Sequence, residues 1–346
     1  MMSSVIFVWE GSGNSSRHWE LLMRVLVTGA TGFVGSHLTE ALVARGDDVR
    51  VLARRTSQHK WIESLPLTWF RGDVNDPESL NEAVRDVDHV YHVAGMTKAN
   101  SRRAYLQANA AGTRNLIEAC LRSPNQPAKF ILMSSLAAAG PAVCPKTEID
   151  PCEPVSHYGH SKFLAERIAC SYADRLPLVI LRPSAVYGPR DRDILAFFRL
   201  VKRGLNLTIG RATPCLCLVY VADLVDAAML AADKDLRSGS TFFVSDGEVH
   251  DWETVAELLG EIMGVRVRTV RIPSAAAYVA AVGAELWSHL RRTAPLLNRQ
   301  KIIEMQQTGW TCEIRKANQI LGFHPRVPLA VGLAKTYRWY RAQGWL

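Results

Sequence analysis

Short apolar runs alternate with segments of helical period along most of this chain, and that alternation sets the first expectation of its fold. Arg24 to Thr28, Val49 to Ala53, Leu67 to Arg71, Val87 to Val93, Lys129 to Met133 and Leu178 to Leu181 are rich in β-branched and bulky apolar residues. They are short and almost continuously apolar, as strands buried on both faces are. Helical patterns separate most of them, including two long ones at 102–121 and 158–173. Strands alternating with helices predict an α/β fold built on a parallel, doubly wound sheet.

After Pro183 the rhythm loosens. Asp193 to Arg203, Arg211 to Val221 and Asp251 to Arg292 read as pieces of a smaller C-terminal lobe, interleaved with segments around 215–245 that return to the sheet. The division expected is therefore 23–185 for the sheet domain and 186–346 mainly for a lobe closing the crevice at the strand C-termini. The Ala-rich stretch Ala275 to Ala284, followed by Leu286-Trp287 and Arg291-Arg292, is read as a lobe helix, with an interfacial membrane helix as the alternative. Residues 1–22 show no periodicity, and Val5 to Trp9 is too short for a signal-peptide core; they are expected to be a dispensable extension.

Two local patterns carry chemistry. Arg24-Val-Leu-Val-Thr28 runs into Gly29-Ala-Thr-Gly32-Phe-Val-Gly35 and then into a helical segment, so a strand, a glycine turn and a helix follow one another. Gly29 permits a tight turn, Gly32 lets backbone N–H groups approach a pyrophosphate, and Gly35 lets helix and strand pack closely. Farther on, Tyr158-Gly-His-Ser-Lys162 places a phenol and an ammonium one helical turn apart. A phenol titrates near ~10 in water and needs a nearby positive charge to act as a base at neutral pH.

These patterns fall in a recognisable order. Thr28-Gly-Ala-Thr-Gly-Phe-Val-Gly35, Gly72-Asp73-Val74, His92-Val-Ala-Gly95, Asn109-x-x-Gly-Thr-x-Asn115, Ser134-Ser135, Tyr158-x-x-x-Lys162, Arg182-Pro183 and Val186-Tyr-Gly-Pro189 together resemble the extended short-chain dehydrogenase/reductases. The resemblance runs from Met23 onward, closest in style to the dihydroflavonol-reductase and 3β-hydroxysteroid-dehydrogenase branch. It implies a Rossmann-type sheet with an interleaved C-terminal substrate lobe, and a homodimer through the helices around 102–121 and 158–173.

The resemblance also implies roles. Tyr158 is the proton donor or acceptor, Ser135 the hydrogen-bond partner of the reacting oxygen, and Lys162 the ligand of the nicotinamide ribose that lowers the Tyr158 pKa. Asn109 holds the geometry of the site. Thr28, Gly29, Thr31, Gly32, Phe33, Val34 and Gly35 surround the pyrophosphate, Asp73 and Val74 the adenine. Val93, Ala94 and Gly95 line the cofactor, Ser134 faces it, and Pro183, Ala185 and Val186 meet its carboxamide. NAD readers usually end the second strand with an acid. Here that place reads Leu52-Ala53-Arg54-Arg55, and Arg54 or Arg55 suits a 2′-phosphate, so NADP is preferred to NAD.

Composition narrows the rest. The net charge of +8 is dispersed in short pairs without a nucleic-acid motif, so nucleic acid is not expected as a partner. Seven cysteines without a Cys-x-x-Cys, and histidines without ligand spacing, predict neither a disulfide framework nor a metal site. They fit a reducing cytoplasm. No run of ~18 apolar residues predicts a membrane span. Members acting on sugar nucleotides hold the diphosphate with an Asn and an Arg whose places here read Ala185 and Leu216. The expectation is a reductase or alcohol dehydrogenase acting on a relatively apolar ketone or alcohol. The alternatives are a nucleotide-sugar epimerase or dehydratase with tightly bound NAD, and a non-catalytic NADP-binding regulator.

Overall fold

The computed structural model describes residues 23–99, 101–210, 214–291 and 299–346; the expectation for residues 1–22 lies outside them. Seven strands form the central sheet: β1 (Arg24–Thr28), β2 (Asp48–Ala53), β3 (Thr68–Arg71), β4 (His89–His92), β5 (Lys129–Met133), β6 (Leu178–Pro183) and β7 (Ser240–Val244). They lie in the order β7-β6-β5-β4-β1-β2-β3 and every pairing is parallel. Two-residue periodicity explains why these runs are apolar throughout. Val25 and Val27 enter the core on one face with Leu38 and Leu42, while Leu26 enters the other with Val90, Leu116 and Phe130.

Strand order reverses at β1, which pairs with β2 on one side and β4 on the other. A crevice outside the strand C-termini opens at such a reversal. The segments that follow β1, β4, β5 and β6 all reach it, and these carry most of the expected site residues.

The expected elements form with four differences. β4 is shorter than Val87 to Val93, although the Val93 N–H still reaches the Thr28 carbonyl of β1 at 3.2 Å, shared with the Tyr91 carbonyl at the same distance. β7 lies outside the six runs read as strands. The helix at 102–121 arrives as Arg102–Tyr105, a π-helical turn Leu106–Ala111, and Gly112–Arg122. The helix at 158–173 is His157–Cys170, and the Ser171 hydroxyl donates to the Ile168 carbonyl at 2.7 Å where it ends.

The C-terminal part adds a parallel strand pair, Leu205–Ile209 with Arg268–Ile272, and an aromatic-rich core of Phe197, Phe198, Leu259, Leu333 and Tyr340. The tail returns to the sheet side: Trp339 and Trp345 lie 5.4 and 6.4 Å from Trp61, so the chain end packs on the segment between β2 and β3. All seven cysteines are free.

Gly35 shows how tightly the first helix sits on β1: a Cβ there would lie 2.0 Å from the Gly29 carbonyl oxygen. Gly35→Ala should therefore cost about 2 kcal/mol or more in unfolding free energy, read from urea denaturation, because backbone must move to admit one methyl. Gly46→Ala, at a helix end with open space around it, should lose less.

Candidate functional site

Gly29 turns the chain with φ of +75°, and a Cβ there would sit 2.6 Å from the Ala94 nitrogen. Glycine is thus required both by the backbone and by the approach of β4's continuation. The following helix Phe33–Arg45 begins at Gly32, which offers no side-chain cap. Its first turn therefore has no side-chain acceptor of its own, as an anion site needs.

Behind the turn lies a buried polar chain. The Thr113 hydroxyl donates to the Asn109 carbonyl at 2.6 Å, so it has only lone pairs left for His92 Nε2 at 3.0 Å. His92 therefore carries its proton on Nε2, and Nδ1 accepts the Thr28 hydroxyl proton at 2.7 Å. Thr28 Oγ1 in turn accepts the Ala94 N–H at 3.3 Å. Burial, reinforced by the Lys162 charge, pulls the imidazole down to about 3, so it stays neutral at physiological pH.

Asn109 sits in the π-helical turn, where the widened backbone aims its amide sideways. Its Oδ1 accepts the Met96 N–H at 2.7 Å, and its Nδ2 donates to the Met96 carbonyl at 3.1 Å and to Ser161 Oγ at 2.8 Å. Ser161 donates onward to the Tyr158 carbonyl at 2.7 Å. Asn109 thus ties the loop after β4 to the helix that bears Tyr158 and Lys162.

Tyr158 and Ser135 meet at the mouth of this frame, and the charges that act on the phenol are those of Glu304, Tyr105 and Asp193 rather than that of Lys162, one turn on along the same helix. Ser135 caps the short helix Leu136–Ala139 by accepting the Ala137 N–H at 3.1 Å, and its hydroxyl also hydrogen-bonds the Tyr158 phenol. Burial pushes Tyr158 up to about 12; the Ser135 bond opposes this, and the charges of Glu304 and Asp193 add to it. Lys162 is buried and donates to the Met133 carbonyl at 2.6 Å. Burial pulls its ammonium down to about 8, with Glu166 holding it partly up. Among the described residues, then, the phenol is kept protonated and the lysine is the group poised to titrate.

Ser134 departs from its expected orientation toward the cofactor. It is buried, and its hydroxyl donates to Glu166, whose carboxylate also takes a fork from Arg182: Nε at 3.0 Å and a terminal nitrogen at 2.7 Å. A buried carboxylate must collect such donors, and the nearest hydroxyl is drawn inward. Sequence reading missed Glu166; its spacing of four from Lys162 was the available signal.

The remaining residues follow the C-terminal ends of β2, β3, β4 and β6. Arg54 and Arg55 are exposed just past β2, and neither side chain makes a hydrogen bond or ion pair among the described residues. Asp73 is half-buried; its Oδ1 accepts from the Asn75 backbone and side chain at 2.9 and 3.1 Å. The Val74 carbonyl accepts from Asn115 Nδ2 at 2.9 Å. Gly95 leaves room that a Cβ would fill within 3.3 Å of both Asn109 Oδ1 and Lys162 Nζ. Past β6, Ser184, between Pro183 and Ala185, holds a buried hydroxyl without a partner, a polar group that sequence reading passed over. The uncapped helix end, the Gly95 clearance, the Ser184 hydroxyl and the free arginines fit an adenine dinucleotide.

The Glu166 and Arg182 pair is nearly sealed from water. Glu166→Ala should cost ~3–5 kcal/mol in thermal or urea unfolding, because it strands a buried guanidinium. Glu166→Leu with Arg182→Leu should recover much of that loss.

The family model described as NAD dependent epimerase/dehydratase family matches residues 25–244. A ceramide reductase of Caulobacter vibrioides is 32% identical, over 93% of this chain and 96% of its own. A 2-alkyl-3-oxoalkanoate reductase of Shewanella oneidensis is 28% identical, over 89% of this chain and 84% of its own. Among solved structures, MoeE5 in complex with UDP-glucuronic acid and NAD superposes with a TM-score of 0.75 at 28% identity, covering 92% of this chain and 99% of that one.

Proposed function

The chain belongs to the NAD dependent epimerase/dehydratase family, and within it we propose that it reduces a ketone on a relatively apolar small molecule to a secondary alcohol, with NADPH as the preferred donor. The observation that carries the substrate class is the pair Ala185 and Leu216, aliphatic where sugar-nucleotide members hold the diphosphate with Asn and Arg. The Ala185 N–H points at the carbonyl of Cys217, the residue after Leu216, at 3.4 Å, so the two places are neighbours in the fold. Two reductases among the relatives, one acting by its name on an alkyl-bearing 3-oxo compound, support the same reading.

The residues divide the work as follows. The Ser135 hydroxyl donates to the carbonyl oxygen and orients it. Tyr158, held protonated by burial, delivers its phenolic proton to that same oxygen. Lys162, charged below about 8, stabilises the phenolate left behind and holds the nicotinamide ribose. When bound, the cofactor supplies the hydride for the carbonyl carbon. Arg54 and Arg55 clamp the 2′-phosphate, Asp73 the adenine, and Ser184 with the Pro183 to Val186 backbone the carboxamide. Asn109 and Ser161 keep Tyr158 in register with the loop after β4.

A second reading, nucleotide-sugar epimerisation with tightly held NAD, is favoured by the likeness to the MoeE5 complex. The same family likeness supports a homodimer through the two long helices, where Leu164 is exposed beside Ile168, Leu106 and Ala110.

Incubation of the purified chain with NADPH and panels of alkyl ketones and UDP-sugars separates the readings. Stoichiometric NADPH consumption with a ketone supports the first; sugar conversion without net cofactor use replaces it. Tyr158→Phe should lower kcat by about 10³-fold with little change in NADPH affinity. Turnover in the reductive direction should fall as pH rises through about 8, where Lys162 loses its charge while Tyr158 keeps its proton. Arg54→Asp with Arg55→Ala should raise the KM for NADPH about tenfold or more and spare that for NADH; an unchanged ratio removes the arginines from cofactor selection.

A further inference from the structure

Helix Ser274–Arg291 is turned out of its lobe to an unusual degree. Of its residues up to Ala284, only Ala277 and Ala281 are buried, against Ile302, Ile209 and Ile272. Val279 is 70% exposed and Tyr278 46%, and Val270 on the preceding strand is 44% exposed. A helix that merely covers a lobe keeps its apolar stripe inward and shows charge to water. Here no charged residue occurs between Ser274 and Ala284.

In the sequence the charges flank that apolar stretch instead. From Val265 to Lys301 the sequence carries seven Lys and Arg residues against one acid, Glu285, so most of the chain's net +8 is concentrated there. Arg266 and Arg268 are exposed at and before the strand Arg268–Ile272 that leads into the helix, and Arg271 on the same strand is exposed but paired with Glu253 at 3.3 Å. An uncharged apolar face bordered by cations matches a bilayer surface with anionic headgroups, where each nearby cation adds attraction. The same charge set on a second copy of this chain would repel it. The helix is 18 residues long, and no described helix is apolar enough to cross a membrane, so the fit is to a helix lying in the interface plane.

We propose that this region, Val270, Tyr278 and Val279 with Arg266 and Arg268 beside them, docks the protein peripherally on an anionic phospholipid bilayer. It lies one helix from the chemistry. Helix Arg299–Met305 packs on it through Ile302, and Gln300 Oε1 accepts the His157 N–H at 2.9 Å, next to Tyr158. Glu304 of that helix acts electrostatically on the Tyr158 phenol. Docking there brings the crevice to the surface where an apolar ketone would be held. The proposal deepens the apolar-substrate reading, but membrane binding is measured without turnover, so either can fail alone.

The test is cosedimentation of the full chain with vesicles of phosphatidylcholine alone or mixed in equal parts with phosphatidylglycerol. The protein should pellet with the mixed vesicles, weakly with the neutral ones, and less when salt rises from ~0.1 to ~0.5 M. Val279→Asp should weaken binding about tenfold. Arg268→Glu should weaken it most at low salt. Both positions are exposed, so both variants should keep the parent's melting transition. Absence of pelleting on mixed vesicles, or equal pelleting of Val279→Asp, overturns the proposal. So does a drop of Val279→Asp to a smaller species in analytical ultracentrifugation, which would assign the face to a second copy.

Discussion

His92 must stay neutral, with its proton on Nε2, for the glycine turn and the catalytic helix to keep one register. Thr28 precedes Gly29 directly, and Thr113 binds the carbonyl of Asn109, whose amide reaches Ser161 beside Lys162. Every donor in that chain has one acceptor, and a second proton on the imidazole would meet the Thr28 hydroxyl head-on unless Thr28 released its own donor role. Burial supplies the condition by making the charged ring costly. Lys162 adds to it from nearby. The buried Lys162 charge thus helps keep the frame's histidine neutral, which couples the electrostatics of the site to its geometry.

Much of the fold was legible because parallel strands buried on both faces are written as short unbroken apolar runs. Six of the seven strands match the expected runs to within two residues at each end, and Arg24–Thr28 and Lys129–Met133 match at both ends. β7 escaped for a physical reason: Ser240-Thr-Phe-Phe-Val244 pairs with β6 on one side only, as the edge strand, and its polar start dilutes the run. The π-helical turn at Leu106–Ala111 was invisible because it changes backbone pitch without changing residue periodicity enough to read.

Site residues divide along a similar line. Glycines and the Tyr158 to Lys162 pair were readable because their spacing is itself the requirement: a φ of +75° at Gly29, a carbonyl 2.0 Å from any Cβ at Gly35, one helical turn between phenol and ammonium. Ser134 was misread because its orientation depends on Glu166 and Arg182, residues 32 and 48 positions away, whose meeting is a property of the packed sheet. Ser184 was passed over for the opposite reason. Its hydroxyl has no partner among the described residues, and a residue defined by what it lacks leaves no pattern in the sequence.

Reduction and epimerisation ask nearly the same of Ser135, Tyr158 and Lys162: an oxygen oriented, a proton moved, a phenolate stabilised. These three residues cannot by themselves distinguish the reactions. The distinction must come from the groups that hold the rest of the substrate, because binding energy away from the reacting atoms decides which molecule is presented. At Ala185 and Leu216 this chain offers aliphatic surface in place of diphosphate ligands. A diphosphate brought there would lose water without gaining donors, a cost of several kcal/mol per unpaired charged group, whereas an alkyl chain gains ~0.8 kcal/mol per methylene buried. On the proposed reading substrate class is therefore set beside the strand ends rather than on the helix that bears Tyr158, and Ala185 and Leu216 favour carbon over phosphate.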